Sequence, residues 1–399
     1  MKVLLLTNEY PPTIYGGAGI HVDYLSRELA RLCSVDVRCF GDQHLTQGAL
    51  SVTGFNLGDK YQRAPKPLRS VFGAVQRCLD FNASDIDSDL VHVHTWYTHL
   101  GGILAKLNYG IPLVVTTHSL EPLRPWKREQ LGNGYDFSCW VEKTAIEMAD
   151  AVVAVSADAK NDILKCYQVD PARIHIIHNG IDLDEYRRTE APDILRARGI
   201  DPARPYVLFV GRITRQKGII HLVNAIRHMD PGFQIVLCAG APDTPEIASE
   251  MQSHVEAARK VRPDIVWIQE MIAVPAKVAL YSHAALFCCP SVYEPFGIIN
   301  LEAMACETPV VASAVGGIRE VVVEGETGML VPFTPVPGVS NEPADAGRFE
   351  RDLADRINRL MKDPALRERM GQAGRKRAVD HFSWKAIAQK TYELYGKLV

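Results

Sequence analysis

Short runs rich in Val, Ile and Leu recur along the chain, separated by longer stretches whose apolar residues fall at helical spacing. The first series of runs is Val3–Thr7, Val35–Cys39, Leu90–His94, Leu113–Thr116, Ala151–Val155 and Ile174–Ile177. The second is Tyr206–Val210, Gln234–Ala239, Ile265–Ile268, Ala285–Cys289, Val310–Ala312 and Met329–Val331. None alternates strictly between apolar and polar, which is the pattern of strands covered on both faces. Between them, stretches such as that of Leu25, Leu29 and Leu32 predict amphipathic helices. Strand–helix alternation repeated twice predicts an α/β chain with two doubly wound parallel sheets.

Arg-rich, Pro-containing sequence around 185–205 marks the junction, so the first domain is expected over 1–185 and the second over 186–377. Pro332–Gly347 reads as a surface insertion. A last amphipathic helix passes through Tyr392, Tyr395 and Leu398 and by its pattern could pack on either domain.

The length of 399 residues suits two cores rather than one. With 47% hydrophobic and 23% charged residues, usage is that of a globular protein in water. A net charge of −3 gives no reason to expect nucleic acid or an anionic membrane as partner. Any bound anion must then be held by local cations and backbone N–H groups. The nine cysteines contain no C-x-x-C pair, which points to a reducing compartment. The apolar run at Met1–Thr7 is too short for a leader or a span, so a cytoplasmic location is expected.

Three segments carry candidate chemistry. After the first strand, a loop ending in Gly16-Gly17-Ala18-Gly19 opens a helix, where glycine allows close approach and free N–H groups suit an anion. A dinucleotide fingerprint does not fit, because eight residues separate Thr7 from Gly16 and Val22 stands where a third glycine belongs. The second domain opens with Val210-Gly-Arg-Ile-Thr-Arg-Gln-Lys-Gly218, which sets Arg212 and Lys217 beyond a strand's carboxyl end. A forked guanidinium and an ammonium together suit a diphosphate. In the third, Glu294 and Glu302 lie eight apart across a loop and a helix start. Each carboxylate can accept both hydroxyls of a vicinal diol, so the two together suit a hexose and a ribose. Phe296, Gly297 and Ile298 between them offer N–H groups to the phosphate joining those sugars.

These segments, with Thr117-His118 and His178-Asn-Gly-Ile-Asp182, occur in an order that resembles the GT-B glycosyltransferases of family 4 over nearly the whole chain. His94-Thr-Trp-Tyr97 and the run from His118 to Leu131 are similar to the actinobacterial-type glycogen synthase branch, which includes α-maltose-1-phosphate synthase. The resemblance implies two Rossmann-like domains facing each other across a cleft, with a crossover helix over 378–399 returning to the first. It also implies a retaining transfer of α-glucose from ADP-glucose to glucose 1-phosphate or to the non-reducing end of an α-1,4-glucan. A relative using UDP-glucose or GDP-mannose on another acceptor is the alternative.

By the same resemblance Gly17 and Gly19 face the donor diphosphate, and Arg212 and Lys217 neutralise it as it leaves. Glu294 binds hydroxyls of the transferred sugar, Glu302 those of the ribose, and His118 contacts the sugar near its C6 hydroxyl. His94, Trp96 and Tyr97 suggest a sugar-stacking acceptor wall, and Arg124 and Lys127 around Trp126 suggest a phosphate-bearing acceptor. No metal or other cofactor is expected, since the nucleotide sugar is a substrate. Asp85-Ile-Asp87-Ser-Asp89 precedes a strand and reads as a solvated loop, and His92, His94 and His99 lack accompanying acids or thiols for zinc. A homo-oligomer is compatible with the sequence.

Overall fold

The computed structural model describes residues 1–336 and 342–399. The chain divides into two compact units, Met1–Gly180 with Trp384–Val399, and Ile181–Ser383. The first unit holds an eight-stranded sheet: β1 (Lys2–Thr7), β2 (Ser34–Phe40), β3 (His44–Gln47), β4 (Leu50–Phe55), β5 (Leu90–Val93), β6 (Leu113–Thr117), β7 (Ala151–Ala154) and β8 (Ile174–Ile176). Its order is β3-β4-β2-β1-β5-β6-β7-β8. Every pairing is parallel except β3 with β4.

That antiparallel hairpin was not expected from the pattern. β3 is exposed along its length and offers no apolar run, and Gly48 at φ +60° makes the turn. The twelve expected strands are all present, within a residue or two at their ends.

The second unit has a wholly parallel sheet of β9 (Tyr206–Arg212), β10 (Gln234–Gly240), β11 (Ile265–Ile268), β12 (Leu286–Cys289), β13 (Val310–Ser313) and β14 (Gly328–Val331). The order is β11-β10-β9-β12-β13-β14. Val207, Phe209, Ile235, Leu237 and Val311 from the strands pack with Leu222, Met251, Leu353 and Ile357 from the helices. Burial on both sheet faces explains why these strands carry no polar alternation.

The units change over at 180/181 and 383/384, where the sequence reading put the borders at 185/186 and 377/378. The second difference has a clear cause. The helix Pro364–His381 stays with the second unit because Arg375 donates to the carbonyls of Tyr186 (2.7 Å) and Ala305 (2.8 Å). Arg377 donates to the Val321 carbonyl at 2.9 Å. Only the helix Trp384–Tyr395 belongs to the first unit, where Trp384, Ile387, Leu394 and Tyr395 join the core of Val3, Leu25 and Val37. Gly180 is required there, since a Cβ would stand 2.6 Å from the Trp384 ring.

The segment Pro332–Gly347 lies partly outside the described residues. Its flanks are joined by an antiparallel bridge from Pro335 to Pro343, and its last residues already belong to the helix Ala346–Lys362.

Candidate active site

Each sheet reverses its strand order once, beside β1 in the first unit and beside β9 in the second, because successive crossovers there leave in opposite directions. Loops at the carboxyl ends of the strands flanking such a point splay apart and leave a ligand crevice. The sequence-picked segments fall at these two places. The Gly16–Gly19 loop follows β1, His94 follows β5, Arg212 and Lys217 end β9 or follow it, and Glu294 follows β12.

In the second unit the loops after β9 and β12 are locked together. Gly218 is left-handed at φ +59°, and a Cβ there would lie 2.1 Å from the Pro290 carbonyl oxygen. The Val292 N–H donates to the Gln216 carbonyl at 3.0 Å. This approach brings Lys217 Nζ to 2.6 Å from Glu294 Oε2, across 77 positions of sequence. Ser291 Oγ donates to the same oxygen at 3.2 Å. A third loop, after β13, closes on Glu294 from behind: a Cβ at Gly316 would come within 2.0 Å of its carbonyl oxygen, and the Gly317 N–H donates to that oxygen at 3.0 Å. Glu294 is 7% exposed. Burial works against the Lys217 ammonium, but the Glu294 charge outweighs it and holds Lys217 above the usual lysine range.

Gly297, at φ +96°, turns the chain into the helix Ile298–Ala305, whose start has no side-chain cap. Phe296 and Ile298 point into packing, Phe296 against Phe382 at 5.9 Å, so this turn can offer a ligand only its backbone. Arg212 is paired with Asp243, which follows β10. Sequence reasoning missed Asp243 and the Gly316-Gly317 pair. The signal was available: each follows a strand near β9 or β12 at its carboxyl end.

Glu302 is placed differently from Glu294. It is 1% exposed, and its two oxygens accept from Tyr186 (3.0 Å), Lys277 (2.8 Å) and Tyr281 (2.9 Å). Burial, then the neighbouring carboxylate, drives both phenols far above their normal range, so they remain donors. The ribose contact expected of Glu302 therefore faces three protein donors already seated on the carboxylate.

In the first unit Glu9 Oε2 accepts the N–H groups of Tyr15 (2.8 Å) and Gly16 (2.9 Å), folding the loop that precedes the helix Gly17–Leu29. A Cβ at Gly19 would sit 2.8 Å from Glu9, so this glycine is explained by contact with Glu9 inside the loop. Gly17 is exposed at the helix start, which carries no side-chain cap.

Five histidines gather nearby. His94 Nδ1 and His118 Nε2 are 3.2 Å apart, and His21 packs edge-on to His118 at 4.7 Å. His92 is held by Tyr395 Oη at 2.6 Å and Thr116 Oγ1 at 2.7 Å. Burial, assisted by mutual repulsion, keeps His92, His94 and His118 far below the usual histidine range, and burial alone lowers His99 to about 3. His118 is thus a neutral hydrogen-bonding group at the end of β6.

The acceptor candidates are only partly brought together. Trp96 is buried and stacked on Tyr97, centroids 4.0 Å apart, so its ring face is covered by protein; Tyr97 is half-buried. Arg124 donates to Ser119 at 3.0 Å and pairs with buried Glu121 at 3.4 Å. Lys127 donates to Gln130 at 2.6 Å. Asp87 and Asp89 bind the N-terminal Met1 and Lys2 at the opposite end of β5 from His94. Among the described residues no helix is long and apolar enough to cross a membrane.

Two doubly wound sheets, each with polar loops at its switch point and one carrying a cation–carboxylate pair beside an uncapped helix start, define an α/β protein of two Rossmann-like units. Comparison with known proteins gives the family. Residues 15–185 match Glycosyltransferase Family 4, and residues 191–341 match Glycosyl transferases group 1. An Alpha-maltose-1-phosphate synthase of Mycolicibacterium smegmatis is 47% identical over 406 residues, covering 100% of both chains. A Glycogen synthase of Mycobacterium tuberculosis is 27% identical, covering 99% of this chain and 94% of its own. Among solved structures, a sucrose-phosphate synthase from Thermosynechococcus elongatus superimposes with a TM-score of 0.78 at 25% identity, covering 100% and 99% of the two chains. The Anabaena protein HepE, solved with UDP-glucose, gives 0.74 at 22%, covering 100% of each. The chain belongs to the family 4 glycosyltransferases and has their GT-B fold.

Proposed function

We propose that this enzyme transfers α-glucose with retention from ADP-glucose to glucose 1-phosphate, forming α-maltose 1-phosphate and ADP. The observation that carries the reading is the 47% identity, end to end, with a protein named Alpha-maltose-1-phosphate synthase. Extension of an α-1,4-glucan is the second reading, favoured by the weaker full-length likeness to a Glycogen synthase. The fold shared with a protein solved with UDP-glucose supports a nucleotide sugar as donor.

In this reading Lys217 and Arg212 meet the diphosphate as it departs, and Glu294 accepts hydroxyls of the transferred glucose. The 2.6 Å Lys217–Glu294 pair supports that division, since it sets a phosphate-seeking cation beside a hydroxyl-seeking carboxylate. The uncapped turn at Gly297 directs N–H groups at phosphate oxygen. Neutral His118 donates to or accepts from a sugar hydroxyl. As the acceptor oxygen bonds to C1, the C1–O bond to phosphate breaks on the same face and the departing phosphate oxygen takes the acceptor's proton. Fixed cations and dipoles stabilise that leaving group without a resident metal. Arg124, engaged by Glu121, and Lys127, engaged by Gln130, are the candidates for the acceptor phosphate. The nine-cysteine composition without a disulfide framework supports a cytoplasmic setting.

The test is a donor panel (ADP-, UDP- and GDP-sugars) against glucose 1-phosphate and glycogen, with products resolved by mass and anomeric NMR. Efficient extension of glycogen with no turnover of glucose 1-phosphate would replace the first reading by the second.

A further inference from the structure

His21 projects from the helix Gly17–Leu29, His94 follows β5 and His118 follows β6, and one ring nitrogen of each lies within 4.8 Å of the others. The sequence reading set aside His92, His94 and His99 as a zinc site; tertiary structure gathers a different trio. His92 is excluded because Tyr395 and Thr116 occupy both its nitrogens.

The protonation of His21 is that of a metal ligand. His21 Nδ1 is 2.6 Å from Asn179 Oδ1, an oxygen that can only accept, so Nδ1 carries the proton and Nε2 keeps a bare lone pair. That Nε2 is buried with no hydrogen-bond partner among the described residues. A buried polar atom of that kind is destabilising unless something satisfies it. A metal-bound histidine usually donates its far N–H to a carbonyl or carboxylate oxygen, as His21 does to Asn179. Zinc–nitrogen bonds of about 2.0–2.1 Å in a tetrahedral site set ligand nitrogens roughly 3.4 Å apart. The 3.2 Å between His94 Nδ1 and His118 Nε2 nearly meets that already.

We propose that His21, His94 and His118 form a binding site for a borderline divalent transition ion, of the zinc or cobalt class, with the fourth position left to water. Three neutral imidazoles select such ions over magnesium and calcium, which demand oxygen ligands. The ion takes the nitrogen of His118 that a sugar hydroxyl would use, so occupancy inhibits the enzyme; this consequence alone rests on the function proposed above.

The test is titration of the purified enzyme with Co²⁺ followed by its visible d–d absorption, with zinc stoichiometry from equilibrium dialysis. A single ion bound with tetrahedral bands, displaced by Zn²⁺ and indifferent to Mg²⁺, is expected. His21→Ala abolishes the bands, and Asn179→Ala, which keeps all three ligands, weakens binding by about 10–100-fold. Circular dichroism confirms that each variant is folded. Absence of the bands, or bands that survive both substitutions, overturns the site. In parallel, zinc is expected to inhibit turnover and EDTA to restore it. Bands that depend on His21 together with undiminished activity in zinc support the metal site and refute the sugar contact of His118.

Discussion

Replacement of Lys217 by Met separates a structural from a catalytic role at the centre of the second unit. The Lys217–Glu294 distance of 2.6 Å corresponds to a gross attraction of about 6 kcal/mol at an effective dielectric constant near 20. Much of that offsets the loss of hydration by two largely buried groups. Met fills a similar volume but leaves the carboxylate with the Ser291 hydroxyl as its remaining side-chain partner in this cluster. Leaving one buried charge unpaired costs roughly 3–5 kcal/mol, so the urea unfolding free energy should fall by about that much. Turnover should fall by about 10²–10³-fold from loss of one charge contact to the leaving diphosphate.

The double variant Lys217→Met/Glu294→Gln removes both charges. It should recover stability to within about 1 kcal/mol of wild type while turnover stays depressed, because an uncharged pair packs adequately but stabilises no leaving group. Equilibrium unfolding and steady-state kinetics on the same three proteins check this. Turnover that recovers together with stability would refute the diphosphate role and leave the pair as a structural ion pair. Unchanged stability in the single variant would refute the burial argument.

On change to Gln both glutamates of the eight-apart pair should lose roughly 3–5 kcal/mol of stability, Glu302 by stranding Lys277 and Glu294 by stranding Lys217, but only Glu294→Gln should also lower turnover strongly, as unfolding and kinetics on both will tell. Burial, and then the nearby Glu121 charge, hold the Glu142 carboxyl well above its usual range, so the folded protein retains a proton that the unfolded chain releases. Its contribution is therefore full in acid and is lost as pH rises through neutrality, and Glu142→Gln should gain stability relative to wild type between about pH 5 and pH 8 in paired denaturation curves. Activity should survive thorough EDTA treatment; a strict requirement for added manganese or magnesium would contradict a leaving group stabilised by Arg212 and Lys217.

Hydrophobic periodicity alone determined the strands of two parallel sheets, because a strand buried on both faces must be apolar along its length wherever it sits. The half-exposed hairpin of β3 and β4 escaped that signal, since neither strand is covered in this way. Spacing after strand ends located Arg212, Lys217 and Glu294, because chain connectivity fixes which loops lie at a sheet's carboxyl edge. It could not say which residues would meet across long separations. Lys217 finds Glu294 only because glycines at 218, 316 and 317 let three loops close on one another. The same limit applies to Glu302, whose three donors, Tyr186, Lys277 and Tyr281, no local pattern foretells. Arg124 is likewise already engaged by Glu121, and His21 joins His94 and His118 through a helix that nothing in its own periodicity directs toward them. Local sequence fixes backbone propensity and burial, but the partner of a polar group is chosen by packing, and the partner decides whether that group is free to bind a ligand.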